Sequence, residues 1–475
     1  MLSILGGNSE LCDGASRREV LRAGGLSLFG LSLPGMLRAS EQSRRYGAPD
    51  RPQRIKSVIL FNLLGGPSHM DMFDLKPEAP VEVRGEFGPI ATSLPGLQIC
   101  ELLPNTARLM HKACLIRTIS HTYNSHDPLA IMTGFTEGNN RAPAQPTDPP
   151  DIGAICQYVG LGERDVPGAV CMPCYPGWGQ NYRRGGPYGG FLGSQYDPLY
   201  SLCDPTFARE PEQVNYDPVL PEGEPYLPGL NLREQMTVDR FDGRRSLLQQ
   251  IDEEFERAEQ TRSIGRLDRF QDRAFDLLTS SRTRDAFDLS QETDDTRDRY
   301  GRNLFGASLL VARRLVEVGV PFISVHQEIF RHYGHAYDMH ANNFGMLKNM
   351  NLPVLDAAYP ALVQDLEDRG LLDSTLVIVM GEMGRSPKVN RNAGRDHWPQ
   401  CGFSLLTGGG IKAAMIHGAT DRQAAYPISD PVHPSALVAT IYHLLGIDPH
   451  LLIHDRTGRP FPIARGGDPI EQILA

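Results

Sequence analysis

The sequence predicts an α/β fold, a domain wound on both faces of a mostly parallel central sheet, with a helical insertion. Three observations predict it. Continuous apolar runs, the first over residues 57–64, stop abruptly at glycine-rich turns, as buried parallel strands do. Stretches of helical periodicity lie between these runs, so strand and helix alternate along the chain. Polar residues that can ligate metals recur just past the apolar runs, where open α/β sheets place their ligands.

Each element follows in order. After a polar linker over 41–56, residues 57–64 form the first strand, which ends at Gly65-Gly66-Pro67. Residues 102–112 read as a helix, 113–119 as a strand, 128–134 and 151–159 as helices, and 169–174 as a strand. Residues 175–229 are crowded with Gly, Pro, Tyr and Asp and lack a period, which makes them an irregular insertion. A second insertion, 240–295, is dense in alternating charge, with apolar residues at Leu247, Leu248, Ile251, Phe255, Leu267, Phe270, Phe275 and Leu278. That spacing describes long amphipathic helices packed on the same core, since no heptad persists for several repeats, with a coiled-coil partner surface as the alternative. The rhythm resumes with a helix over 303–318 closed by Gly319, a strand over 321–326, a helix over 342–369 ended by Gly370, and a strand over 374–380 stopped by Gly381. A strand over 401–406 and a helix over 434–445, closed by Gly446, complete one discontinuous domain spanning 57–463, with a tail over 464–475.

The chain is 475 residues long, 40% hydrophobic and 22% charged, which suffices to bury a large core. Its net charge of -10 excludes a dedicated nucleic-acid binder, which needs a basic stripe to displace counterions. Residues 1–40 read differently from the rest. Ser16-Arg17-Arg18-Glu19-Val20-Leu21-Arg22 precedes an uncharged, moderately apolar run over 23–37, and Arg38-Ala39-Ser40 offers small residues at its exit. The pattern resembles a twin-arginine signal peptide, with Arg17 and Arg18 as the pair read by the twin-arginine translocase. It implies that translocase as a partner during export, and a periplasmic or extracellular location. No other stretch reaches the roughly 18 continuous apolar residues of a membrane helix, so no stable membrane span is expected. Eight cysteines in so long a chain are not a disulfide scaffold, and the lone Cys171-Met172-Pro173-Cys174 reads as a local disulfide or two buried thiols before it reads as a zinc site.

Four clusters follow the strands. They are Gly65 to Asp74; Ser120-His121-Thr122-Tyr123-Asn124-Ser125-His126-Asp127; His332 to His340; and Gly381-Glu382-Met383-Gly384-Arg385 with Gly394-Arg395-Asp396-His397-Trp398. Eight of the fourteen histidines lie in or at the edge of these clusters, a concentration that packing alone does not explain. Carboxylate and imidazole together suit zinc, manganese or iron, whereas calcium prefers oxygen ligands. Arg385 and Arg395 are available to neutralise the equatorial oxygens of a phosphate or sulfate ester, with surface ion pairing as the alternative role.

A strand-end Asp, a loop before a helix ended by Thr133-Gly134, an Asp/His cluster, a second carboxylate and a late His occur in the order used by the alkaline phosphatase and sulfatase superfamily. The stretch from Asp430-Pro431-Val432-His433-Pro434 to Leu445-Gly446-Ile447 resembles the helix that closes sulfatases. Most of residues 55–463 resembles that superfamily. More narrowly, Gly65-Gly66-Pro67-Ser68-His69, Met380 to Pro387, Gly394 to Trp398 and Gly418-Ala419-Thr420-Asp421 resemble a large bacterial family of exported sulfatase-like proteins of unknown function.

The resemblance implies a three-layer α/β/α sandwich and a divalent metal, zinc or manganese before calcium. It implies Asp71 or Asp74 as the first-strand metal aspartate, Asp338 and His340 as a metal pair, Glu382 as the later carboxylate and His397 as the last histidine. Ser125 and His126 are the catalytic candidates with Arg385, and Thr122 is the alternative hydroxyl. The chain departs from the superfamily at two places. Glu382-Met383 stands where Asp-His is usual, so one histidine ligand is missing or comes from another loop. The sulfatase spacing counted back from Thr133-Gly134 lands on Asn124, which is no nucleophile, and no Cys is there for formylglycine chemistry. Two functions are therefore expected to compete: a hydrolase of anionic small-molecule or glycan esters, and a non-catalytic module binding an anionic ligand or a partner protein on the same fold.

Overall fold

In the computed structural model, which describes residues 54–137, 143–163, 165–212, 216–227, 281–330 and 336–475, the apolar runs assemble into one eight-stranded sheet. Its strands are β1 Ser57–Asn62, β2 Ala113–Ile119, β3 Ala169–Met172, β4 Leu199–Tyr200, β5 Phe322–His326, β6 Thr375–Met380, β7 Gly402–Gly408 and β8 Met415–His417. They lie in the order β8-β2-β7-β6-β1-β5-β3-β4. Only β7 runs against its neighbours; every other pairing in the sheet is parallel. The twin-arginine segment, the linker up to residue 53, the apolar positions Leu247 to Leu278 of the helical insertion, and His332 and His335 lie outside the described residues.

Both faces of the sheet are covered, and the pleat explains how. Successive side chains of a strand point to opposite faces. Ile59, Phe61, Ile323, Val325, Val377 and Val379 share one core with Leu309, Val311, Leu355 and Leu362. Val58, Leu60, Leu376 and Ile378 share the other with Ile131, Ile155, Leu437 and Ile441. The helices are α1 His69–Met72, α2 Leu129–Thr133, α3 Ile152–Tyr158, α4 Leu304–Glu317, α5 Leu352–Asp368 and α6 Pro434–Leu444. Thus α4 and α5 cover one face and α2, α3 and α6 the other, giving the three layers expected. Asn303 starts α4 by accepting hydrogen bonds from the amides of Phe305 and Gly306, and Asp151 caps α3 in the same way.

Two expectations are refined. The helix over 342–369 is one path with a break in its ladder: Asn343–Met346 passes through a π turn, Leu347–Asn351, into α5. Pro353 has no amide to donate, which resets the hydrogen bonds at that point. The irregular insertion contributes a strand, since β4 adds to the sheet edge with Val170 opposite Leu199 and Cys171 opposite Tyr200. No helix among the described residues is long and apolar enough to cross a membrane.

The register positions the site. Asn62 is opposite Met380 on one side and His326 on the other, so β1, β5 and β6 end level. The loops that leave them emerge side by side.

Candidate metal centre

The loop after β1 is held in a conformation that only glycine adopts readily. Gly65 has φ +107, and a Cβ there would collide with the backbone nitrogen of Asp338. Its amide donates to Glu382 Oε1 at 2.8 Å, while the neighbouring Leu64 carbonyl accepts from the Tyr337 amide at 2.9 Å. Backbone contact therefore seats the Asp338 loop directly on the first strand's exit. On the other side, Gly384–Arg385 pairs antiparallel with His397–Trp398, which sets His397 opposite Arg385. Gly394 has no side chain where one would collide with the His340 carbonyl, so the loop bearing His397 approaches the loop bearing His340. The stretch after β2 is tied in through His121, whose Nε2 lies 2.8 Å from the Glu382 carbonyl oxygen.

These loops bring four side chains to one point. The Nε2 atoms of His126, His340 and His397 lie 3.0, 3.2 and 3.7 Å from Asp338 Oδ1, and the four ligand atoms all lie within 4.8 Å of one another. Each imidazole is held from behind through Nδ1. His126 meets Glu382 Oε1 at 2.7 Å, His340 meets Asp396 Oδ1 at 3.1 Å, and His397 meets Asn124 Oδ1 at 2.9 Å. Oxygens that only accept require the proton on Nδ1, which leaves the Nε2 lone pair facing the common point.

The geometry of the Nε2 atoms fits an ion better than hydrogen bonds. Those of His126 and His397 are buried and make no hydrogen bond, although Asp338 Oδ1 stands 3.0 and 3.7 Å from them. Ligands about 2.1 Å from a shared ion at tetrahedral angles stand about 3.4 Å apart, and the separations to Asp338 straddle that value. Three nitrogens and one oxygen are a donor set suited to zinc. The three rings differ electrostatically. Burial opposes charge on His126, but the carboxylates of Asp338 and Glu382 outweigh it and raise its pKa. Asp338 raises that of His340. Burial lowers that of His397, against the pull of Asp338.

The remaining expected residues take other places. Glu382 stands behind His126 and also receives the Gly65 amide, which makes it a support for a ligand. Asp71 is apart from the cluster: α1 turns it to Arg395, whose Nε and Nη2 donate to its two oxygens at 2.7 and 2.8 Å, while Ser68 and Asn343 fill what remains of Oδ2. Asp74 is engaged by Thr420, Lys76 and Arg117. Arg385 is fully buried. Its guanidinium donates to the carbonyls of Gly65, Gly66 and Arg395 and to Asp338 Oδ1 at 2.7 Å, so it orients the Asp338 carboxylate. Arg395 is likewise consumed by Asp71 and by the carbonyls of Val83, Ser386 and Pro387. The Ser125 hydroxyl donates to buried Asp127 at 2.6 Å. Asn124 and Asp396 have roles that the sequence did not single out. Asn124 was visible only as a failed nucleophile, and Asp396 only as the neighbour of His397.

The model of the family described as a protein of unknown function (DUF1501) matches residues 55–474. No curated protein matches the chain. Solved structures similar to it include the PsFucS1 sulfatase from Pseudoalteromonas sp., 13% identical over 87% of this chain and 70% of that one with a TM-score of 0.35. Another is the phosphonate monoester hydrolase of Agrobacterium radiobacter, 12% identical over 87% and 78% with a TM-score of 0.34. Superpositions this loose transfer neither a residue role nor a substrate.

Proposed function

Since the chain belongs to the DUF1501 family, whose description assigns no activity, we propose its function from its own site: a metal-dependent hydrolase of phosphate or sulfate esters, exported through the twin-arginine pathway and related to the alkaline phosphatase and sulfatase superfamily. One observation carries this reading. Three Nε2 lone pairs and one carboxylate oxygen converge, and every imidazole is locked from behind by an acceptor oxygen. His126, His340, His397 and Asp338 would hold the ion, zinc first and manganese second. A divalent ion there supplies Lewis acidity toward an ester oxygen.

The chain's own residues do the rest. Glu382 and Asp396 keep the protons of His126 and His340 on Nδ1, and Asn124 does so for His397. Arg385 fixes the direction of the Asp338 carboxylate. Asp127 accepts the Ser125 hydroxyl proton in a hydrogen bond and is the group to take that proton if Ser125 acts as nucleophile. Substrates would be anionic small-molecule or glycan esters. A second reading, a metal-bearing module that binds an anionic ligand or a partner without turning it over, is favoured by one feature: Arg385 and Arg395 are both spent on internal partners and are not free to meet an ester.

Protein purified without chelators is expected to carry about one zinc or manganese per chain by elemental analysis, and Asp338→Ala is expected to lose it. The loaded protein is expected to cleave an aryl phosphate or aryl sulfate, and a chelator to abolish cleavage. Ser125→Ala separates the roles: lost turnover with metal retained assigns the nucleophile to Ser125. Absence of metal refutes the site. Metal without cleavage across phosphate mono- and diesters and sulfate esters leaves the binding module.

A further inference from the structure

Three cysteines that the metal centre does not use lie at the carboxyl end of β3 and in the segment that follows. Cys171, Cys174 and Cys203 are all fully buried. The CxxC spacing invites pairing of Cys171 with Cys174, but the Cys171 thiol has other partners: it donates to the carbonyl oxygen of Cys174 at 3.6 Å and bonds Ser324. Cys174 instead packs with Cys203 in a small apolar cluster with Leu304, Phe305 and Phe330.

The strand register explains the partner. β3 and β4 pair in parallel at an offset of 29 residues, Val170 with Leu199 and Cys171 with Tyr200. Ser201 extends the match, its amide donating to the Cys171 carbonyl at 3.1 Å and its hydroxyl to the Pro173 carbonyl at 2.8 Å. The paired register ends at Cys171 and Tyr200, and the same separation of 29 residues relates Cys174 to Cys203, which meet beyond the strand ends in one apolar cluster. Cys203 is a side-chain hydrogen-bond partner of the Cys174 thiol, and both are free, buried thiols here.

We propose that Cys174 and Cys203 form a disulfide in the mature protein, closing the loop 175–202 beside the metal centre. The oxidant is a disulfide donor such as oxidised glutathione. One cysteine thiolate attacks the donor and releases one reduced glutathione; the second thiolate displaces the other, so that one S–S bond forms in the protein and two thiols leave carrying the two protons. Burial and the neighbouring Cys203 push the Cys174 thiol well above the usual range, so the exchange takes place in a state in which the pair is open to the donor. The closed segment is the one that braces the site's surroundings: the Gly177 amide donates to Glu328 Oε2 at 3.0 Å just past β5, and Gly186 packs on Pro128 and Leu129, next to the loop bearing His126.

The test is a peptide map of the full chain, refolded in a glutathione redox buffer, denatured, alkylated without reductant and digested. A cross-linked pair of peptides containing Cys174 and Cys203, with the other cysteines alkylated, is the expected result. Refolding with excess reductant should then lower the thermal midpoint by a few degrees. Cys203→Ser should leave Cys174 alkylatable and make the midpoint indifferent to reductant. Alkylation of both Cys174 and Cys203 after oxidative refolding, or a cross-link joining Cys171 to Cys174, overturns the proposal. The wild-type map decides it even if the variant fails to fold.

Discussion

An imidazole can ligate through one nitrogen only when its proton sits on the other, and the group behind the ring makes that choice. Asn124 makes it for His397 through a neutral amide at 2.9 Å. Asn124→Ala is therefore expected to weaken metal binding about 10- to 100-fold with the fold intact, measured by calorimetric titration of zinc, whereas Asn124→Asp, which keeps an acceptor, should retain most of it. An unchanged affinity in the alanine variant would remove Asn124 from the site. Residue by residue, the cluster was partly legible. Asp338, His340 and His397 are marked by their positions after strands, and they come together. The resemblance puts Asp71 and Glu382 among the ligands, but sequence position does not reveal which way a side chain turns. The short helix α1 swings Asp71 onto Arg395, and Glu382 faces Nδ1 of His126. His126 stands among the catalytic candidates with Ser125, but the structure turns its Nε2 to Asp338; the partner of His121 is a backbone carbonyl that no pattern announces.

Between elements, close backbone approach does what side chains cannot. Gly65 combines φ +107 with a Cβ position already occupied by the Asp338 backbone. Gly65→Ala is expected to cost at least about 2 kcal/mol of stability, read from urea unfolding, and to lower metal content, because the loops after β1 and β5 must separate. A variant as stable and as metal-rich as the parent would show that these loops are not seated by that contact. The long strands were legible because strands buried on both faces are apolar at every position. β4 and β8 were not, since two or three residues carry no period. The reversed sense of β7 was also hidden: its apolar run reads like the others, and direction comes from the connection, which returns from β6 through the loop bearing His397 rather than over a helix.

For the whole molecule, export is expected to depend on Arg17 and Arg18, which the translocase would read as a pair. Replacing both by Lys should leave full-length precursor in the cytoplasm on cell fractionation; mature protein still appearing outside the inner membrane would point to another route. Four ligand atoms drawn from His126, Asp338, His340 and His397 also have a consequence for how the chain folds. An unfolded chain can offer an ion only the near neighbours Asp338 and His340, because the other two ligands are joined to them through strands not yet paired. Contacts so distant in sequence form late and slowly. The binding energy of the ion accordingly falls on the finished state alone, about 2.7 kcal/mol when free ion exceeds its dissociation constant a hundredfold. The ion is thus a latch on completed folding: a chain that has not yet closed its sheet holds it by two ligands at most, and one that has captured it with four opens more slowly than the same chain stripped.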